Sequence, residues 1–373
     1  MKLLKILGVV ISLLLIGVAA IKVMYGQGSA FPRVATNPRY PESQLETLVN
    51  LDFPPGNIAV SRGGRTFFNY HPFAKAQRFT SATVFELVDG RPVPYPNEAF
   101  QKNYQGVFGM TVDHQNRLWV VEPASLDHRS TRLLAFDLGT NAKVFEHAFE
   151  PGFAKFAQDL RVSPDGTKVI MADTGLFTFT PGSLIVFDVA SREARSLLSG
   201  DPSTTAQDWF IKTRWGKHVL AFGLMTFKVG VDGISFSSDG SKLYYASMSH
   251  DSLYEISYAD LLDRTLNEEN LRQRIKKVGK KPQSDGIAVD GEGNVLITDV
   301  EGGGVAALNS DGGLETLVAS PRVIWADGIA LDAQGVIYFT DSAIPAYIDQ
   351  LGRPPSIKTL ESGRPYTIFS FRR

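Results

Sequence analysis

Four aspartates share one local setting. Asp159, Asp232, Asp285 and Asp327 each open a short, largely apolar run, and three of the four stand directly before glycine. Asp232, Asp285 and Asp327 recur at intervals of roughly 40 to 55 residues, the scale of a repeated supersecondary unit, and a long insert widens the gap from Asp159 to Asp232. A second set, Asn69, Glu122, Asp173, Asp299 and Asp341, closes the apolar run that follows in each unit. Carboxylates gathered from distant segments have two chemical uses. As hard oxygen donors they hold Ca²⁺, Mg²⁺ or Mn²⁺. As crowded like charges they need a cation, an amine ligand or a shared proton, and so can move protons near neutral pH. The candidate proton-transfer residues are Asp232, Asp285 and Asp327. The candidate ligand-binding residues are Phe108, Asp159, Glu122, Asp173, Asp299 and Asp341. Asp159, Asp232 and Asp285 are the candidate metal ligands. For any one of these the competing reading is structural, because aspartate at a strand start also caps neighbouring backbone or forms an Asx turn.

Other chemistry is sparse. There is no cysteine, which excludes disulfides, thiolate metal sites and thiol catalysis. None of the six histidines shows an HxxxH spacing. His71, His128 and His250 each follow a second apolar run, where a general base at the same mouth or a packing residue are the two readings. No nucleophile-elbow, Walker or dinucleotide-binding signature stands in a suitable context. Lys plus Arg total 38 against 39 Asp plus Glu, a formal charge of −1, which argues against a partner held by bulk positive charge, such as nucleic acid.

The elements that must position these residues repeat six times. Each unit is an apolar strand, a turn and a second apolar strand: Gly56–Val60 with Thr66–Asn69, Phe108–Asp113 with Leu118–Glu122, Asp159–Ser163 with Val169–Asp173. The last three are Asp232–Phe236 with Leu243–Ala246, Asp285–Asp290 with Val295–Asp299, and Asp327–Asp332 with Val336–Asp341. The turns carry Asp-Gly, Gly-Asn or Gln-Gly, which tolerate φ > 0. A third strand often follows, and a weaker fourth. Such units cannot bury both faces alone, so they must stack and close. The expected fold is all-β, a six-bladed β-propeller with a central channel. The first strand of each blade lines the channel, which puts strand-one starts and strand-two ends at one mouth, with Gly56 and Phe108 at the ring positions of the first two blades. Leu45–Val49 is expected to complete the sheet built by the C-terminal Tyr366–Phe371. Two inserts interrupt the rhythm. Gly200–Gly230 is rich in aromatics, and Tyr258–Lys281 ends in lysines and arginines and reads as an exposed helix or loop.

Lys2 and Lys5 precede an apolar run from Ile6 to Ile21, the pattern of an export signal or an uncleaved N-terminal anchor. Small-residue cleavage positions follow Ala20 and Ala30. The expected organisation is a leader over 1–30 and a single propeller over 31–373. It is monomeric and extracytoplasmic (secreted or periplasmic), and touches a membrane only through the leader.

Gly230-Val231-Asp232-Gly233-Ile234-Ser235-Phe236, with Leu243-Tyr244-Tyr245 and Leu253-Tyr254-Glu255-Ile256, resembles the signature of the major royal jelly and yellow proteins. So does Phe108-Gly109-Met110-Thr111-Val112-Asp113 with Arg117-Leu118-Trp119-Val120-Val121. The resemblance runs from about residue 40 to the C-terminus. It implies a secreted six-bladed propeller whose channel mouth binds a small polar or aromatic metabolite; in insect members such ligands include aromatic amines, and some members are linked to dopachrome conversion, a tautomerisation. The chain lacks the cysteines that eukaryotic members pair and looks like a bacterial relative. A more distant similarity is to the regucalcin-like gluconolactonases. Their channel metal is held by a Glu, two Asn and an Asp at strand-one starts, where this chain has Gly56, Asp159, Asp232 and Asp285. That similarity implies a divalent-metal-dependent lactonase as the rival enzyme. A protein-interaction platform is the third reading.

Overall fold

Six four-stranded antiparallel sheets form the body of the computed structural model, which describes residues 2–34, 36–74, 80–124, 129–175, 179–347 and 361–373. Blade 1 comprises Pro55–Val60, Thr66–Tyr70, Val84–Val88 and Arg91–Pro94. Blade 2 comprises Met110–Val112, Arg117–Glu122, Arg132–Asp137 and Lys143–Ala148, and blade 3 Ala157–Val162, Lys168–Asp173, Ser183–Asp188 and Ala194–Leu197. Blade 4 is Val231–Phe236, Lys242–Ser247, Ser252–Ser257 and Lys276–Lys280, and blade 5 is Ile287–Val289, Val295–Asp299, Gly304–Leu308 and Leu314–Ala319. Blade 6 joins Ala326–Leu331, Val336–Asp341 and Tyr366–Arg372 to the N-terminal Glu46–Leu51, which lies outermost. The ring is thus closed by the two chain ends, as the alternation of Leu45–Val49 predicts.

The repeat has a local cause in each unit. The hairpin between strands one and two carries one residue of positive φ in every blade, from Gly64 (φ 83°) through Asn116 (φ 60°) to Gly335 (φ 75°), the backbone that a tight antiparallel turn demands. The aspartate that ends several first strands fixes that turn: Asp290 Oδ1 accepts the N–H groups of Glu292 and Asn294, and Asp332 Oδ1 those of Gln334 and Val336, all at 2.9 Å.

Buried apolar side chains fall into six clusters, one for each interface between successive blades. Between blades 5 and 6, for example, Leu296 and Val305 meet Ile337 and Phe339. Burying side chains of this size contributes roughly 1.5–3 kcal/mol each, and no blade can do it without its neighbours. The cluster at the blade 6–blade 1 seam is the largest. It extends upward to include Ile211, Leu220, Met225 and Phe227 of the Gly200–Gly230 insert. That insert therefore belongs to the core, folded over one end of the ring.

The Tyr258–Lys281 segment departs from expectation. It holds two short helices, Tyr258–Leu262 and Glu268–Arg272, and then Lys276–Lys280, which is the fourth strand of blade 4. Alternating charge obscured a strand whose outward face is solvated. Lys281 itself is fully buried.

Candidate functional site

The six inner strands stand side by side around the axis. In blades 1, 3, 4 and 6 the pairing of strand one with strand two shifts register at its start, between Pro55 and Ile58, Ala157 and Asp159, Val231 and Gly233, and Ala326 and Ile329. A bulge re-aims a side chain, and each falls where a ring residue sits. Glycine permits the crowding. A Cβ on Gly286 would stand 2.8 Å from the Asp327 carbonyl oxygen, and one on Gly328 2.6 Å from the Asn57 Cα.

This brings Asp159, Asp232, Asp285 and Asp327 together on four successive blades. All four are buried. Burial pushes the Asp232 carboxyl far up, and the charges of Asp285, Asp159 and Asp327 push it further, with Lys281 opposing. Asp327 is raised by burial and then by Asp285. Asp285 is raised to about 7 by burial, against the pull of a hydrogen bond from the Trp325 indole N–H at 2.8 Å. Asp159 is raised by burial, with Arg161 opposing. Among the described residues, Asp232 Oδ2 and Asp327 Oδ2 are buried without a hydrogen-bond partner.

Blade 1 pairs Ile58 with Phe68 as blade 6 pairs Ile329 with Phe339, so Gly56 holds the register of Asp327, as the sequence pattern predicts, and Asn57 that of Gly328; Asp159 shares the register of Asn57. Asn57 Oδ1 accepts the N–H of Ile58 at 2.8 Å, just as Asp159 Oδ1 accepts that of Leu160 at 2.8 Å. Gly328 approaches the Asn57 Cα as Gly109 approaches the Asp159 Cα. Asp159 and Asn57 therefore stand one residue further along their inner strands than Asp232, Asp327 and Gly56.

The strand-two acids reach the same end of the ring and then turn to backbone. Glu122 accepts from Gln105 N–H at 2.6 Å and from the Arg132 guanidinium at 2.6 and 2.9 Å. Asp341 accepts from the N–H groups of Ile324 and Trp325, both at 2.9 Å. Asp173 and Asp299 accept from Gly175 and Gly302. These bonds fix the loops around the mouth and use carboxylate oxygens that a ligand would need.

Phe108, half-buried, holds the blade 2 position and belongs to an aromatic wall. Its ring centre lies 5.3 Å from that of Phe73 and 5.9 Å from that of His71, and Tyr347 lies 5.7 Å from His71. His71 Nδ1 accepts the Phe73 N–H at 3.1 Å, so Nε2 carries the proton, 3.7 Å from Asp327 Oδ2. Burial lowers the His71 pKa to about 3 and keeps the ring neutral. His250 packs elsewhere, on Tyr254, and His128 lies outside the described residues.

Three participants escaped the sequence. Arg161 bonds Asp159 at 2.8 Å and reaches the Ile287 carbonyl of blade 5 at 3.1 Å. Its position two residues along the inner strand from Asp159, hence on the same face, was the available signal. Trp325 joins Asp285 to the insert, its ring 5.6 Å from His218 and 5.9 Å from Phe227. Lys281 donates to the Pro282 carbonyl and Ser284 Oγ at 3.0 Å, and burial lowers its pKa to about 7. No group of three or more His, Asp or Glu side chains among the described residues converges as metal ligands. A separate cavity of about 990 Å³ opens at the hairpin end of the ring, between Arg62, Asp290, Asp332 and Arg373, and shares no residue with the acidic ring.

Comparisons with known proteins agree with this architecture. A gluconolactonase from Xanthomonas campestris is 15% identical with a TM-score of 0.55, covering 92% of this chain and 98% of that chain. A luciferin-regenerating enzyme is 14% identical with a TM-score of 0.55, covering 88% and 95%. A calcium-binding regucalcin from Agrobacterium tumefaciens is 13% identical with a TM-score of 0.53, covering 87% and 92%. At such identities the likeness is one of fold. No curated protein sequence matched the chain. Residues 105–334 match the family model for major royal jelly protein. That match spans more than half of the sequence and takes in Phe108, the whole insert and all four ring aspartates, and the protein belongs to the major royal jelly protein family.

Proposed function

We propose that this is an exported propeller that binds a small amine-bearing aromatic or polar metabolite at its acidic mouth. The observation that carries the reading is the pair of unpartnered buried carboxylate oxygens, on Asp232 and Asp327, within a ring of four mutually repelling aspartates. An ammonium group supplies both the charge and the hydrogen bonds they lack. The wall of Phe73, Phe108 and Tyr347 offers aromatic faces beside them. Conversion draws on the same residues. The raised Asp327 carboxyl, beside the neutral His71 ring, is able as a carboxylate to take a proton from one atom of a bound ligand and, once protonated, to return it to another. This is a tautomerisation with no change in redox state.

The metal-dependent lactonase reading is less well supported by these residues. Asp159 is engaged by Arg161 and by the Leu160 N–H, Asp285 by the Trp325 indole, and Asn57 by Ile58. Both Asp159 oxygens are engaged, by Leu160, Arg161 and Ile234, and no three acids among the described residues converge as metal ligands, so the set does not fit a divalent cation and no step is routed through one. Calorimetric titration with catecholamines and indoleamines tests the proposal. Saturable binding that is lost in Asp232→Asn and Asp327→Asn supports it. Absence of heat at millimolar ligand, or equal affinity in both variants, overturns it.

A further inference from the structure

The N-terminal helix α1, Lys2–Tyr25, contains a stretch over Lys5–Tyr25 that is long and apolar enough to cross a membrane, and none of it is buried. At about 1.5 Å per residue its 21 residues match a hydrocarbon core of about 30 Å. The far end of this helix does not hang from a flexible linker. Lys22 donates to the Gly223 carbonyl, Thr226 Oγ1 to that of Gly26, and the Tyr25 ring lies 4.6 Å from Phe179. Beyond it, Ser29–Ala30 pairs in parallel with Trp209–Phe210, and Phe31 packs edge-on against Trp209. Every one of these partners except Phe179 belongs to the insert that covers the channel mouth.

The surface around that junction has an unusual character. Outside α1, the exposed large apolar side chains among the described residues are three valines and Phe179, Trp215 and Phe222, at 46%, 40% and 86% exposure. Phe179 packs on Tyr25, Phe222 precedes the Gly223 that Lys22 bonds, and Trp215 lies on the turn between Lys212–Thr213 and Gly216–Lys217. Ala221 and Phe222 adopt left-handed backbone (φ 49° and 57°), a conformation unfavourable for phenylalanine. Cations accompany them: Lys212, Arg214 and Lys217 are exposed on the adjoining turn, and Lys217 stands close enough to Lys22 and Lys228 to feel their charge. Exposed aromatics interleaved with lysine and arginine at the end of a membrane-length helix are the composition of a bilayer interface.

We infer that the insert is a membrane-facing foot: with α1 retained in the bilayer, Phe179, Trp215 and Phe222 enter the interfacial layer while Lys22, Lys212, Arg214 and Lys217 meet anionic lipid phosphates. The inference rests on the reading of α1 as a retained anchor. It sets the acidic mouth toward the lipid surface and the hairpin end away from it.

The test uses the full chain reconstituted into phosphatidylglycerol–phosphatidylcholine vesicles that carry lipids brominated near the headgroup. Trp119 and Trp325 are fully buried, so quenching reports on Trp215 and on the half-buried Trp209, which Trp215→Phe separates. The expected result is co-flotation with the vesicles and quenching that falls clearly in Trp215→Phe, the remainder coming from Trp209. The absence of native cysteine makes Phe222→Cys a unique site for a spin label. It is expected to be more accessible to oxygen than to a water-soluble nickel chelate, with the reverse at Gln334→Cys on the hairpin end. Co-flotation with unchanged quenching in Trp215→Phe, or with nickel-accessible label at 222, overturns the foot while leaving the anchor standing. Failure to float overturns both.

Discussion

At the scale of single residues the account turns on carboxylates that fold at an electrostatic cost. Asp285 binds its proton up to about pH 7 in the folded chain but only to about pH 4 when unfolded. The folded state therefore holds more protons between these values, and the stability contributed by this group is lost as pH rises through that window. Asp285→Asn removes the effect. The melting temperature of the variant relative to the native chain is expected to climb from pH 4 to pH 7, measured by differential scanning calorimetry; a constant offset would refute the raised pKa. Taking the difference matters because His71, His218 and His250, held neutral by burial, oppose the trend in both proteins. Ligand affinity follows the same logic. An ammonium ligand needs ionised partners, so its association constant is expected to rise between pH 5 and pH 8 in titrations at constant ionic strength. Asp232, Asp285 and Asp327 were legible in the sequence because each precedes glycine at the same register of an inner strand; Asp159 stands one residue further along. Trp325 and Lys281 were not legible, since nothing local marks an indole or ammonium whose partners come from another blade.

At the scale of elements, the Asp-Gly pairs acquire two separate explanations. The aspartate faces the channel and the glycine faces the next blade. A methyl group at Gly286 would strike backbone of Asp327, which cannot withdraw without moving a strand. Gly286→Ala is expected to cost about 1–3 kcal/mol in urea unfolding. Gly291→Ala, in a turn with nothing within 4 Å of the new atom, is expected to be neutral or stabilising by about 0.4–1 kcal/mol. Similar losses in both would show that glycine is needed for chain flexibility and not for the close approach of blades. The hairpins and the chain-end closure were readable from turn residues and alternation alone. The bulges were not. They arise from the packing of neighbouring inner strands, and the pairing places Asp159 at the register of Gly233, one residue beyond the other ring aspartates. Nor was the fourth strand of blade 4 readable, because Lys276, Lys277 and Lys280 mask its period with charge.

The whole molecule behaves as a ring that must be complete. Leu51, 4% exposed in the closing strand, packs into the seam cluster that also contains the insert and Trp325. Leu51→Ala is expected to lower stability by about 2–5 kcal/mol. The loss should shift tryptophan fluorescence and far-ultraviolet circular dichroism together, since no blade has a core of its own; separated transitions would mean that blades unfold independently. The closed ring is also what turns aspartates from four distant segments into one site, and what leaves two of their oxygens waiting for a donor. The most direct test of that site is the number of protons exchanged on ligand binding, from calorimetry of a catecholamine near pH 6.5 in buffers of different ionisation enthalpy. Displacement of protons from the raised carboxyls by an ammonium group predicts net release to buffer, reduced in Asp232→Asn. Binding whose heat is independent of the buffer, or unchanged by that substitution, would contradict the account.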